Sequence, residues 1–119
     1  MRILVMGLPG SGKTTYAKKL SKLFGCPHIN ADDVRKDVND WDFSPRGRLK
    51  QALRMRERVD RYRLAIADFV CPTPETREMF GPDFIIWMNT IKVSKYLDTN
   101  EVFTAPTHCD VVISEWNGH

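Results

Sequence analysis

The chain has 119 residues, 42% of them hydrophobic, and a formal net charge of +3. That is enough apolar content for one core without staples, and too little charge to nominate a nucleic-acid partner by itself. No apolar run approaches the roughly 18–20 residues of a membrane span, and no linker, repeat or low-complexity tract interrupts the chain, so residues 1–119 are expected to form a single domain.

The first expected element is a short strand over residues 3–6, followed at once by Gly7-x-x-x-x-Gly12-Lys13-Thr14, the Walker A pattern in full. The single Arg and brief apolar run at the start faintly resemble a signal peptide, but a phosphate loop accounts for them better. In such a loop the glycines let successive backbone N–H groups converge on an anion, and the positive end of the next helix adds to them. Gly7, Leu8, Pro9, Gly10, Ser11, Gly12, Lys13, Thr14 and Thr15 are therefore the expected ATP-binding residues. Lys13 reaches the β/γ-oxygens as a catalytic cation, and the Thr14 hydroxyl is placed to ligate Mg²⁺. A plain strand-to-helix turn needs neither the lysine nor the hydroxyl.

Helical spacing of Tyr16, Ala17, Leu20, Leu23 and Phe24 predicts a helix over residues 13–24, stopped by Gly25 with Pro27 just beyond. A short strand over residues 27–30 then delivers Asn30-Ala31-Asp32-Asp33-Val34-Arg35. In an open parallel sheet the carboxyl ends of strands face the ligand crevice, so this acidic pair belongs opposite the phosphate loop. Either aspartate can cap the following helix, and one of them, Asp32 by preference, is expected to orient an acceptor hydroxyl and take its proton. Arg35 would hold the acceptor or neutralise developing charge.

Residues 39–45 form a turn-rich loop that carries Trp41 and Phe43, rings that either stack on a base or plug the edge of the core. A helix follows from about Ser44, with Pro45 at its first position and Leu49, Ala52, Met55, Val59 and Tyr62 as its core face. Its other face carries Arg46, Arg48, Lys50, Arg54, Arg56, Arg58, Arg61 and Arg63, a solvated surface from which Arg48 and Arg54 are exempted because they lie nearest the crevice. Residues 64–70 read as a central parallel strand ending near Asp68, a Walker B arrangement in which the carboxylate shares Mg²⁺ with Thr14. A short helix follows Cys71-Pro-Thr-Pro-Glu-Thr-Arg77, then a fourth strand over 82–88, an unpatterned lid-like segment over 89–107 without arginine, a fifth strand over 109–114 and a brief tail. Cys26, Cys71 and Cys109 are odd in number and lack zinc-like spacing, so they are expected to be reduced, which with an ATP site points to the cytoplasm.

The order Gly-Leu-Pro-Gly-Ser-Gly-Lys-Thr-Thr, Asn-Ala-Asp-Asp-Val-Arg, Phe-Ser-x-x-x-Arg and Val-Cys-Pro-Thr-Pro-Glu-Thr-Arg resembles the adenylylsulfate kinases over roughly residues 1–80. The resemblance implies transfer of the γ-phosphate of Mg·ATP to the 3′-hydroxyl of adenylylsulfate, a step of sulfate assimilation. It places Asp32 at the family's second acid and Arg35 at its arginine. Phe43 falls where a phenylalanine stacks on the substrate adenine, Arg48 where an arginine contacts the substrate, Gln51 where asparagine is usual, and Cys71 where a serine stands. Asn30 replaces the family's first acid, and the arginine-bearing lid is contracted to residues 89–106, leaving Lys92 or Lys95 to substitute. Family members are often dimers, which extends to a homodimer here. A weaker likeness of Asn30-x-Asp32-Asp33-x-Arg35 to polynucleotide 5′-kinases implies a nucleic-acid 5′-hydroxyl instead; a kinase of another small molecule and an ATP-binding module without catalysis are the remaining alternatives. The fold expected is α/β, a three-layer P-loop NTPase of the nucleoside-monophosphate-kinase kind, with a five-stranded mainly parallel sheet and a reduced lid.

Overall fold

The computed structural model describes residues 1–115. A strand β1 (Arg2–Met6) leads through the glycine-rich turn into α1 (Lys13–Phe24). There follow β2 (His28–Asn30), α2 (Ala31–Val38), α3 (Pro45–Val59), β3 (Ala65–Asp68), α4 (Pro74–Phe80), β4 (Phe84–Met88), α5 (Leu97–Val102) and β5 (Val111–Ile113). The strands form one five-stranded sheet in the order β2-β3-β1-β4-β5, and every pairing is parallel. Parallel pairing sends all the strand carboxyl ends to one edge, where the β1–α1 turn, the start of α2 and the end of β3 meet.

Alternation along β1 builds a core on each face of the sheet. Ile3 and Val5 pack with Ala17, Ile66, Ile86 and Met88 beneath α1, while Leu4 and Met6 pack with Ala52, Met55, Val59 and Phe80 from α3 and α4. The result is three layers, helix, sheet and helix. Phe69 and Phe80 meet edge to face at 5.5 Å and close the second core at the crevice end.

The first helix spans the expected residues and stops at Gly25, because its signals are local. Three expectations give way to the structure. Tyr62 lies outside the core face, because α3 ends at Val59 with Asp60 as its cap and leaves Tyr62 in the turn beyond, 47% exposed. Neither Asp32 nor Asp33 caps α2; the Asn30 side chain does, accepting from Asp33 N at 3.1 Å. The segment over 89–107, without periodicity in sequence, contains the short helix α5. The brief tail, residues 116–119, lies outside the described residues.

Candidate functional site

The turn between β1 and α1 closes on itself tightly. A Cβ added at Gly7 would lie 2.7 Å from Ser11 Oγ and 2.8 Å from Met88 O, so only glycine lets the loop pass this close to β4. Thr90 Oγ1 donates to Ser11 O at 2.7 Å, which ties the loop to the segment after β4. Leu8 and Ser11 are buried, Gly10 and Thr15 are exposed, and Pro9, Lys13 and Thr14 line a cleft of about 780 Å³ over the carboxyl edge of the sheet. Burial pushes the Lys13 ammonium down from the usual lysine range, and the carboxylates of Asp68 and Asp32 oppose that shift. The lysine therefore shares the cleft with the two acids named from sequence and feels both of their charges.

Asp68 is 1% exposed and heavily engaged. Strand register explains how: Asn30 on β2 and Val5 on β1 both stand beside Asp68 on β3. Thr14 Oγ1 donates to Asp68 Oδ1 at 3.2 Å. On the other carboxylate oxygen, His28 Nε2 lies 2.6 Å and Asn30 Nδ2 3.0 Å from Oδ2. Two hard oxygen donors side by side, one a hydroxyl and one a carboxylate, suit Mg²⁺, which takes few protein oxygens and keeps its waters. Thr14 and Asp68 thus fit the ion that their sequence pattern implies. When bound, the ion would neutralise charge on the phosphates.

Across the cleft, α2 presents Asp32 and Arg35 on its cleft side, while Asp33 does not line the cleft. Arg35 Nη1 donates to Asp40 O at 3.0 Å and Asp42 O at 3.2 Å, so this guanidinium organises the loop before α3. The guanidinium carbon of Arg35 lies 4.2 Å from the centre of the Phe43 ring, and that of Arg48 lies 5.5 Å from it. Phe43 thus lies against two cations, and both it and Trp41 are half-exposed rings at the cleft wall. Burial lowers the affinity of both guanidinium groups for their protons, Arg54 and Arg48 adding to the effect on Arg35, while Asp40 opposes it there and Asp98 opposes it on Arg48. Two buried guanidinium groups against one ring make this wall of the cleft electropositive, which suits an anionic ligand.

Arg48 leaves the solvated face of α3, as its place in the sequence suggested: Nε donates to Phe43 O at 2.9 Å and Nη2 to Thr99 Oγ1 on α5 at 3.2 Å. Gln51 lines the same wall but its amide is occupied, donating to Ala31 O at 3.0 Å and accepting from Arg54. Arg54 pairs with Asp40 and lies outside the cleft lining, so of the two exempted arginines only Arg48 reaches the site. Arg56 and Arg58 on the same helix pair with Asp60 and Asp37. In the lid-like segment Lys95 lines the cleft and Lys92 does not. Arg77 fastens that segment at its far end, donating to Thr104 O and packing over Phe103.

Cys71 closes the floor of the cleft at 1% exposure, with a left-handed φ of 48. Burial pushes its thiol up to about 12, with Thr76 and Arg77 opposing. The thiolate is the alkylating species, so at pH 8 iodoacetamide is expected to leave Cys71 unmodified in the folded protein and to modify it once urea exposes it. Peptide mapping that finds Cys71 carboxamidomethylated in the native state would contradict this placement.

Gly47, in the first turn of α3, marks how tightly the Arg35 loop is packed. An added Cβ there would fall 2.2 Å from Asp42 O and 2.5 Å from Asp42 Cγ. Overpacking of this kind costs about 1–3 kcal/mol. Gly47→Ala is expected to lower the melting temperature and, by displacing the Asp42 carbonyl from Arg35, to weaken acceptor binding more than nucleotide binding. Equal losses for both ligands would show that the loop serves only the fold.

His28 is the residue at this site that sequence reading passed over. An isolated histidine on a three-residue strand carries no motif, and only strand pairing brings it to Asp68.

A family model described as an AAA domain (AAA_33) matches residues 3–79. The adenylate kinase of Wigglesworthia glossinidia brevipalpis is 49% identical over 39 residues, a stretch that covers 33% of this chain and 19% of that protein. The matched stretch therefore spans about a fifth of the length of this curated relative. Among solved structures, the shikimate kinase of Aquifex aeolicus superposes with a TM-score of 0.70 at 14% identity, covering 99% of this chain and 89% of that one. The APS kinase of Mycobacterium tuberculosis superposes with a TM-score of 0.66 at 19% identity, covering 94% and 84%. At such identities the likeness is one of fold, and it extends through the lid-like segment and β5 as well as the phosphate loop. With its phosphate loop, its two acids and its β2-β3-β1-β4-β5 parallel sheet, the chain belongs to the AAA domain family whose model covers residues 3–79, built on the fold of the P-loop kinases.

Proposed function

We propose that this protein is an ATP-dependent phosphotransferase that moves the γ-phosphate to a hydroxyl of a small anionic acceptor. The supporting observation is one cleft onto which Lys13, Thr14 with Asp68, Asp32, and the Arg35–Arg48 pair all open. On this reading the loop over residues 7–15 and Lys13 hold the phosphates of ATP, and Thr14 and Asp68 hold Mg²⁺. Asp32 accepts the proton of the acceptor hydroxyl, and Arg35 and Arg48 hold the acceptor's anionic group.

Adenylylsulfate is the acceptor we place first. It offers a 3′-hydroxyl for Asp32, a phosphosulfate anion for the two guanidinium groups, and an adenine for the exposed rings of Trp41 and Phe43. The arginine-free lid leaves Lys95 as the cation on that side of the cleft. A binding module without turnover would need none of the acceptor-side groups, which is why the catalytic reading is preferred.

Labelled γ-phosphate from Mg·ATP, offered in parallel to adenylylsulfate, AMP, shikimate, gluconate and a 5′-hydroxyl oligonucleotide, tests the proposal. Label on adenylylsulfate supports the first-placed acceptor, and label on another small anion keeps the enzyme class and replaces the acceptor. Label on the oligonucleotide alone moves the reading to end-phosphorylation of nucleic acid, and label on none overturns phosphotransfer to these acceptors.

A further inference from the structure

Asp68 is the group whose surroundings the proposed chemistry leaves unexplained. A carboxylate that shares Mg²⁺ with Thr14 needs one oxygen turned to the ion, yet a carboxylate is free to present either oxygen. Both remaining donors converge on the same atom: His28 Nε2 at 2.6 Å and Asn30 Nδ2 at 3.0 Å bond Oδ2, while among the described residues Oδ1 receives only the longer contact from Thr14 at 3.2 Å. An ionised carboxylate only accepts, so the His28 ring donates through Nε2–H. His28 is itself 12% exposed in its side chain and stands two residues before Asn30 on β2, on the same face of the sheet. A serine or alanine at either position would leave Oδ2 with one donor in a nearly water-free setting.

Resting on the nucleotide reading above, we propose that His28 and Asn30 are positioning residues that pin Oδ2 of Asp68 and so commit Oδ1, beside the Thr14 hydroxyl, to the metal ion. Their contributions differ. Asn30 has further attachments: its Nδ2 also lies 3.4 Å from Thr14 Oγ1, and its Oδ1 accepts from Asp33 N and starts the helix that carries Asp32 and Arg35. His28 acts on the metal side alone. Asn30 also explains why an amide replaces an acid at this position. A carboxylate there would face Oδ2 at hydrogen-bond distance without a proton to share, and would repel it.

The test is titration calorimetry of ADP binding to the intact protein with and without Mg²⁺, because the ratio of the two affinities isolates what the metal adds. Partners that orient a metal ligand are typically worth about 10–100-fold in metal affinity. His28→Ala is expected to cut the Mg²⁺-dependent gain about 10-fold and leave metal-free ADP affinity unchanged. His28→Gln, which restores an N–H donor at similar reach, is expected to recover most of the gain. Asn30→Ser keeps a capping oxygen for α2 and loses the reach to Oδ2, so it should resemble His28→Ala in this measurement. An unchanged gain in His28→Ala, equal losses with and without Mg²⁺, or no rescue by glutamine would each overturn the proposal. If His28→Ala does not fold, His28→Gln and Asn30→Ser decide it by the same ratio. Wild-type protein that binds no ADP under either condition would instead overturn the phosphate-loop reading, and this inference with it.

Discussion

Asp32→Asn is expected to slow phosphotransfer about 10²–10⁴-fold, the range for loss of a positioned general base, while Mg·ATP affinity stays as in the wild type. The substitution keeps shape and hydrogen-bonding oxygen and removes only the capacity to take a proton. Asp32 is free for this duty because Asn30, not an aspartate, caps α2. It lines the cleft, and its charge is felt by Lys13 across the cleft and by Arg35 on its own helix. Turnover in Asp32→Asn within a few-fold of wild type would remove the base assignment, whatever the acceptor proves to be.

Lys13→Met carries the second large effect, and it acts in opposite directions on activity and stability. Loss of a cation aimed at the transferring phosphoryl group typically lowers turnover about 10²–10³-fold. The same ammonium is unfavourable for folding, because burial holds its proton affinity below the usual lysine value of 10.5 despite Asp68 and Asp32. The sign follows from linkage. Between the lowered folded value and the ordinary unfolded one, the unfolded chain binds more protons, so wild-type stability rises with pH in that window and the cost is present below it. At pH 7, Lys13→Met should therefore melt at the wild-type temperature or a few degrees above it, and the difference should shrink as pH approaches 10. A variant that melts well below wild type at pH 7 would show that Lys13 supports the fold through its acidic neighbours. Stability held in reserve against function at a buried charge is a common pattern in binding sites.

Local and long-range interactions left different marks on this sequence. The phosphate loop, the span of α1 and its stop at Gly25 were readable because each depends on residues within one or two turns of chain: glycines where the backbone must bend, apolar spacing, a terminal glycine. The Ser44–Pro45 start of α3 was readable for the same reason, since the Ser44 hydroxyl accepts from Gly47 N at 3.1 Å. The composition of the sheet was also accessible, because buried parallel strands are short and apolar on both faces.

What faces what was decided by tertiary structure alone. Arg48 and Arg54 look alike on a helical face, and only the approach of Thr99 on α5 and Phe43 turns one of them into the cleft while Asp40 holds the other outside it. Phe43 reads from sequence only as a ring in a turn-rich loop, and the fold alone brings the guanidinium groups of Arg35 and Arg48 against it. Asn30 and His28 lie 38 and 40 residues from Asp68 in sequence, and the β2–β3 register brings all three together. Periodicity reports the face on which a side chain lies but not its neighbour across the sheet. The sequence by itself determined the Walker A loop and the acids that share its cleft; the pairing of strands, which no local pattern encodes, decided that His28 and Asn30 both reach Oδ2 of Asp68 while Thr14 reaches Oδ1.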